Sequence, residues 1–252
     1  MRATFFHKDI EYALYLDGES WKQGDSLKGT LKLTSHKDDQ LELSDQGAFL
    51  VLGASKKLKL KDPSGFKVIK KETFDQESKL DGKGSTEISF EFKLDPNCQL
   101  TEKSTSLYVA CGSESNLTEI GYLPIQVVPF KLLTDFFEIF ENFFKFKKKS
   151  MKTKKTFVET MMIAPASREF AGFEKLKVLS QIVAENLELS YEFKVKKLDY
   201  SSDITAVKSE VIVIKQCLTP KDYEVFAGAV NQDSIIKHID EALESVRVKP
   251  LI

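Results

Sequence analysis

Between Tyr12 and Thr34 apolar residues recur among polar ones, and Leu31 and Leu33 keep a period of two after Leu27. That alternation predicts strand, turn, strand, with Gly18, Gly24 and Gly29 placed where a sandwich turns or bulges. The run Gln46–Leu52 is short and continuously apolar, as in a buried strand. Lys56–Lys61 alternates basic and apolar residues and predicts another strand. Asp62-Pro-Ser-Gly65 turns the chain, and Phe66–Lys70 returns from it as a hairpin. In Ser85–Leu94, Ile88, Phe90, Phe92 and Leu94 share one face. Ser106–Cys111 and Gly121–Pro129 follow, with Pro124 marking a sheet edge. Short strands at this spacing make a β-sandwich of residues 1–129.

The pattern changes at Phe130. Leu132, Leu133, Phe136, Phe137, Phe140, Phe143 and Phe144 lie on one helical stripe, followed by the basic run Lys147–Lys155. Residues 130–156 therefore read as an amphipathic Phe-rich helix and a basic linker. Strands return at 156–163, 175–183 and 186–195, and 207–215 is apolar enough for a central strand. Thr219-Pro220 opens a helical tail, in which Ile235, Ile236, Ile239, Leu243 and Val246 share a face. Residues 157–252 are thus a second, smaller β-rich domain ending in helices. Its four strands form either a reduced second sheet or a sheet covered by the C-terminal helices.

Three segments in order carry a family resemblance: Phe90-Glu-Phe-Lys-Leu-Asp-Pro96, Ser106-Leu-Tyr-Val-Ala110 and Ile125-Gln-Val-Val-Pro129. With the opening strand-turn-strand they resemble the arrestin-like superfamily, and within it the compact bacterial sporulation-control-type relatives. The resemblance covers roughly residues 10–129 and implies a mainly β chain that holds partners rather than performs chemistry. In such first domains, basic strand surfaces grip acidic or phosphorylated tails.

Composition supports a folded, non-catalytic chain. Hydrophobic residues make up 42% of the 252, enough for true cores. The net charge of −1 removes any global attraction to nucleic acid. Positive charge is instead local, with 8 Lys and Arg against 3 Asp and Glu in residues 131–157. The three cysteines, Cys98, Cys111 and Cys217, form no C-x-x-C pair, so a reducing, cytoplasmic setting is expected. No signal-peptide or membrane-spanning apolar run is read. His7, His36 and His238 lack metal-ligand spacing, and Asp38, Asp39, Glu42 and Asp45 do not match a calcium loop. No nucleotide-binding or nucleophile-elbow motif appears. No enzyme activity, metal or cofactor is expected.

Two sets of residues remain as candidate surfaces. Lys57, Lys59, Lys61, Lys67, Lys70 and Lys71 would line the basic hairpin as a site for an acidic or phosphorylated partner, or would simply blunt a sheet edge. Phe136, Phe137, Phe140, Phe143 and Phe144, with Lys147, Lys148 and Lys149, would form an internal seat, a partner-docking helix or a membrane-interface helix. Six phenylalanines between 136 and 146 demand a cover, which favours the internal seat. The expected function is a cytoplasmic scaffold or adaptor for a protein partner. The alternative is peripheral lipid or membrane binding through the Phe-rich helix.

Overall fold

The computed structural model describes residues 1–60, 62–75, 77–199, 206–226 and 228–247. The chain forms two compact units, Met1–Pro129 and Phe130–Ile252.

Unit 1 holds β1 (Arg2–His7), β2 (Ile10–Leu16), β3 (Ser20–Lys22), β4 (Ser26–Ser35), β5 (Leu41–Glu42) and β6 (Gly47–Ala54). Then come α1 (Ser55–Lys59), a 3-10 turn at Pro63–Gly65, β7 (Phe66–Thr73), β8 (Lys79–Leu80), β9 (Ser85–Lys93) and β10 (Thr105–Gly112). The unit closes with α2 (Leu117–Ile120), β11 (Gly121–Pro124) and β12 (Gln126–Val128). Two four-stranded antiparallel sheets, β1-β2-β4-β9 and β11-β10-β6-β7, make the sandwich. The alternation works as the pleat requires. Leu27, Leu31 and Leu33 on β4 are completely buried, and Phe90 and Phe92 from β9 lie beside them. From the second sheet, Ala48, Leu50, Leu107, Val109 and Cys111 share the opposite inner face. Strand β6 is buried on both sides. Its other face carries Phe49 and Val51 into a second cluster with Leu58, Tyr108, Ala110 and Leu117. A short parallel pair, β3 with β12, lays Trp21 against Val127 and closes the unit.

One strand of the sequence reading is a helix. Lys56–Lys59 lies in α1, not in a strand. The two leucines decide it: Leu58 is 6% exposed and Leu60 is 80% exposed. On a strand they would share a face; on a helix about half a turn separates them and sets them on opposite sides. The basic hairpin therefore does not exist as two paired strands. Pro124 does end the edge strand β11, as read.

Unit 2 begins with α3 (Lys131–Asn142), then β13 (Lys147–Lys154), β14 (Phe157–Ile163), β15 (Phe173–Val183), β16 (Asn186–Asp199) and β17 (Ala206–Leu218). It ends with α4 (Pro220–Tyr223), the small pair β18 (Glu224–Phe226) and β19 (Ala229–Val230), and α5 (Gln232–Glu244). The five long strands form one antiparallel meander in chain order, so β13 and β17 are its edges. Two readings change here. The basic run 147–155 is an edge strand rather than a linker. The apolar run 207–215 is the other edge rather than a central strand.

One face of this sheet is covered by helices. Tyr191 and Phe193 of β16, Leu176 and Val178 of β15, and Val158 and Met162 of β14 are buried on it. Phe140 of α3 packs on Tyr191 with ring centroids 6.4 Å apart, and Gln216 of β17 donates to the His238 carbonyl of α5 at 2.8 Å. Burial holds the Tyr191 phenol above its ordinary pKa. The Thr219 cap is real: its N–H and hydroxyl donate to the Asp222 carboxylate at 2.8 and 2.7 Å and hold that carboxyl below its usual pKa. Arg247, after α5, ties the tail to Glu169, Asp240 and Glu244.

Thr160 is the misfit of this core. It is fully buried between Met151 and Val178, and its hydroxyl meets no hydrogen-bond partner among the described residues. Thr160→Val removes an unsatisfied polar group at nearly constant shape. The variant is expected to gain about 1 kcal/mol, read as a higher urea midpoint at unchanged slope.

Candidate partner-binding surfaces

Of the six lysines assigned to a basic hairpin, Lys61 lies outside the described residues. The other five do not converge on one strand face. Lys57 and Lys59 sit on α1, where Lys57 donates to the Ser64 hydroxyl at 3.0 Å. Lys67, Lys70 and Lys71 sit on β7, an edge of its sheet. Lys70 donates to the Lys93 carbonyl at 2.6 Å, and Lys71 pairs with Glu114 at 2.9 Å. A bulge between Leu50 and Val51 breaks the register, and Lys70 and Lys71, being adjacent, point to opposite faces. Three of the five cations are thus occupied within the unit, and the β7 set guards a bare edge.

The Phe stripe is seated inside unit 2. Phe136, Phe137 and Phe140 are completely buried, and their rings interlock at 5.3 to 6.4 Å. Phe140 also touches Phe144 and Phe146. Phe143, read as part of the stripe, is 52% exposed, because the helix ends at Asn142 and Phe143 turns outward. Of the rings assigned to a partner groove or a membrane, Phe136, Phe137 and Phe140 are therefore already used as core, while Phe143 is not. Lys147, Lys148 and Lys149 lie on β13 and are exposed.

The surface that periodicity missed is the uncovered face of the five-stranded sheet. Ile163, Val183, Val211 and Val213 are exposed on it, Val211 and Val213 at 57% and 52%. Between them run polar rows: Lys177 pairs with Glu192, Lys194 with Glu174 at 2.7 Å, and Gln181 donates to Glu188 at 2.7 Å. At one end the face dips into a hollow of about 530 Å³, lined by Phe157, Leu179, Gln181, Glu188, Ser190 and Cys217. One signal for this face was present in the sequence. Glu188, Ser190, Glu192 and Lys194 alternate with Leu189, Tyr191 and Phe193, which marks β16 as a strand with one wet side.

The titratable groups offer little for chemistry. Burial pushes the Cys98 and Cys111 thiols up to about 12, so both stay protonated at neutral pH. His36 lies 3.4 Å from Glu11, and His238 lies 3.9 Å from Glu241, both on the surface of their elements. No group of three or more metal-ligating side chains converges among the described residues. None of the described helices is long and apolar enough to cross a membrane.

No family model matches the sequence, and no curated protein matches it. Structure is more informative. The solved structure of Spo0M, a sporulation control protein from Bacillus subtilis, superposes over 95% of this chain and 100% of its own, with a TM-score of 0.66 and 11% identity. The fold is similar to that of Spo0M. At that identity the likeness is one of fold: a mainly β, arrestin-like architecture with few helices. The arrestin-like resemblance read from residues 10–129 thus extends, as fold, over nearly the whole chain.

Proposed function

We propose that this protein is a non-enzymatic, arrestin-like scaffold that holds protein partners on the sheet of unit 2. The observation that carries the reading is the uncovered face of that sheet, where Val211 and Val213 stand exposed beside paired charges. A sheet with one face packed by helices and the other half-apolar and open is a docking platform before it is anything else. Three free cysteines, with the Cys98 and Cys111 thiols held protonated, fit a reducing cytoplasmic setting. The Spo0M-like fold supports the reading only as architecture.

The test is a double substitution, Val211→Glu with Val213→Glu. Both side chains face solvent, so thermal stability is expected to hold within about 0.5 kcal/mol. Proteins cross-linked to the wild-type chain in its own cells should be lost selectively from the variant, as measured by quantitative mass spectrometry. An identical set recovered with both proteins would remove the face from consideration.

A further inference from the structure

The scaffold reading leaves the partner's chemistry open, and the edge of the same sheet narrows it. Strand β13 carries Lys147, Lys148, Lys149, Lys152 and Lys154, all exposed, with Lys155 in the turn that follows. Among the described residues, only one of these six forms an ion pair: Lys148 lies 3.7 Å from Glu141. Across the ladder, Lys152 stands opposite Glu159, while Lys147 and Lys154 stand opposite Ile163 and Phe157. The positive charge of the row is therefore largely uncompensated.

Edge protection alone does not account for this density. The edge strand β7, of the same length, is guarded by three lysines where β13 carries five. The opposite edge of the same sheet, β17, mixes charges instead, with Lys208, Glu210 and Lys215 along its length.

The ladder also sorts the cations by face. Cross-strand partners share a side, so Lys147, Lys152 and Lys154 lie on the uncovered face with Ile163, Glu159 and Phe157. Met151 and Thr153 alternate with them and are half-buried on the helix-covered side. A strand laid against β13 would meet Lys147, Lys152 and Lys154 on the open face, and Met151 and Thr153 beyond the single cation Lys148 on the other.

We infer that β13 receives an extended, acidic segment of a partner protein as a sixth strand, its carboxylates on the open face and its alternate residues apolar. This rests on the scaffold reading and specifies the partner's chemistry. Backbone pairing along the edge supplies the attachment, and the lysine row selects the charge and speeds encounter. An anionic membrane would satisfy the charge but has no use for the edge's backbone groups, and Phe136, Phe137, Phe140 and Phe146 are buried in the core.

The probe is a dye-labelled ten-residue peptide of alternating Glu and Val, followed by fluorescence anisotropy with the full chain. Binding is expected in low salt and should weaken by about ten-fold when ionic strength rises from about 0.05 to 0.5 M. The triple variant Lys147→Glu, Lys152→Glu, Lys154→Glu should lose about ten-fold or more while keeping its thermal midpoint. A peptide N-methylated at alternate backbone nitrogens should bind as poorly, and a Lys-Val peptide not at all. Equal binding by the N-methylated peptide, or by the triple variant, overturns strand addition. So does retention on phosphatidylserine vesicles through the same lysines without peptide binding. If the peptide fails while the Val211→Glu, Val213→Glu variant still sheds its partners, the edge inference falls and the scaffold reading stands.

Discussion

Phe140→Glu is expected to unfold unit 2. The ring is completely buried and touches Phe136, Phe137, Phe144, Phe146 and Tyr191, so it joins α3 to the sheet. Removing such a ring to alanine costs about 3–5 kcal/mol. A carboxylate in its place adds the penalty of an unpaired buried charge, which is larger than most domains can absorb. Far-UV circular dichroism in urea reads the loss. Trp21, the single tryptophan and a residue of unit 1, supplies an internal reference by fluorescence. The conservative partner experiment is Phe143→Glu. That side chain is exposed, and its replacement should change stability by no more than about 0.5 kcal/mol. A membrane-docking helix predicts another outcome: vesicle binding lost with Phe140→Glu while the fold survives.

The strands that could be read from sequence were those whose two faces meet different solvents. In β4, β9 and β16 the side chains alternate between core and water, and the period of two follows directly. The α3 stripe was legible for the same reason, since Leu133, Phe136, Phe137 and Phe140 are all buried on one side. The misreadings occur where that contrast disappears. Strand β13 has no fully buried residue, so composition suggests a linker while the ladder to β14 makes it a strand. Strand β17 is apolar on both faces, yet one face lies open, so Val211 and Val213 look like core residues. Lys56–Lys61 is short enough in sequence that its two leucines fit either period, and only the seat of Leu58 under β6 settles it. For the candidate surfaces this has a direct consequence. The lysine row 147–155 was visible as charge but not as an edge, and the open face was hidden by its own hydrophobicity.

Gly29→Val should cost nearly as much as the Phe140 change, for the opposite reason. Gly29 lies in the middle of β4, not at a turn, and its backbone needs no left-handed φ. What it lacks is room. A Cβ there would stand 2.4 Å from the Tyr15 carbonyl oxygen and 2.6 Å from the Phe90 ring. The ring can tilt, but the carbonyl belongs to β2, which pairs with β4 from Ile10 to Leu16. Either that ladder opens or the Phe90 and Phe92 stack is displaced from the sandwich core. Overpacking in a filled core costs about 1–3 kcal/mol and more where backbone must move, so even Gly29→Ala should lower the urea midpoint clearly. Gly24→Ala gives the contrast. That residue has a φ of 87° with nothing within 4 Å of its Cβ, so only the backbone penalty of about 1–2 kcal/mol applies. If Gly29→Ala proved the milder of the two, the close approach of β2 to β4 would be soft, and the glycine of the opening strand would be a matter of conformation rather than of space.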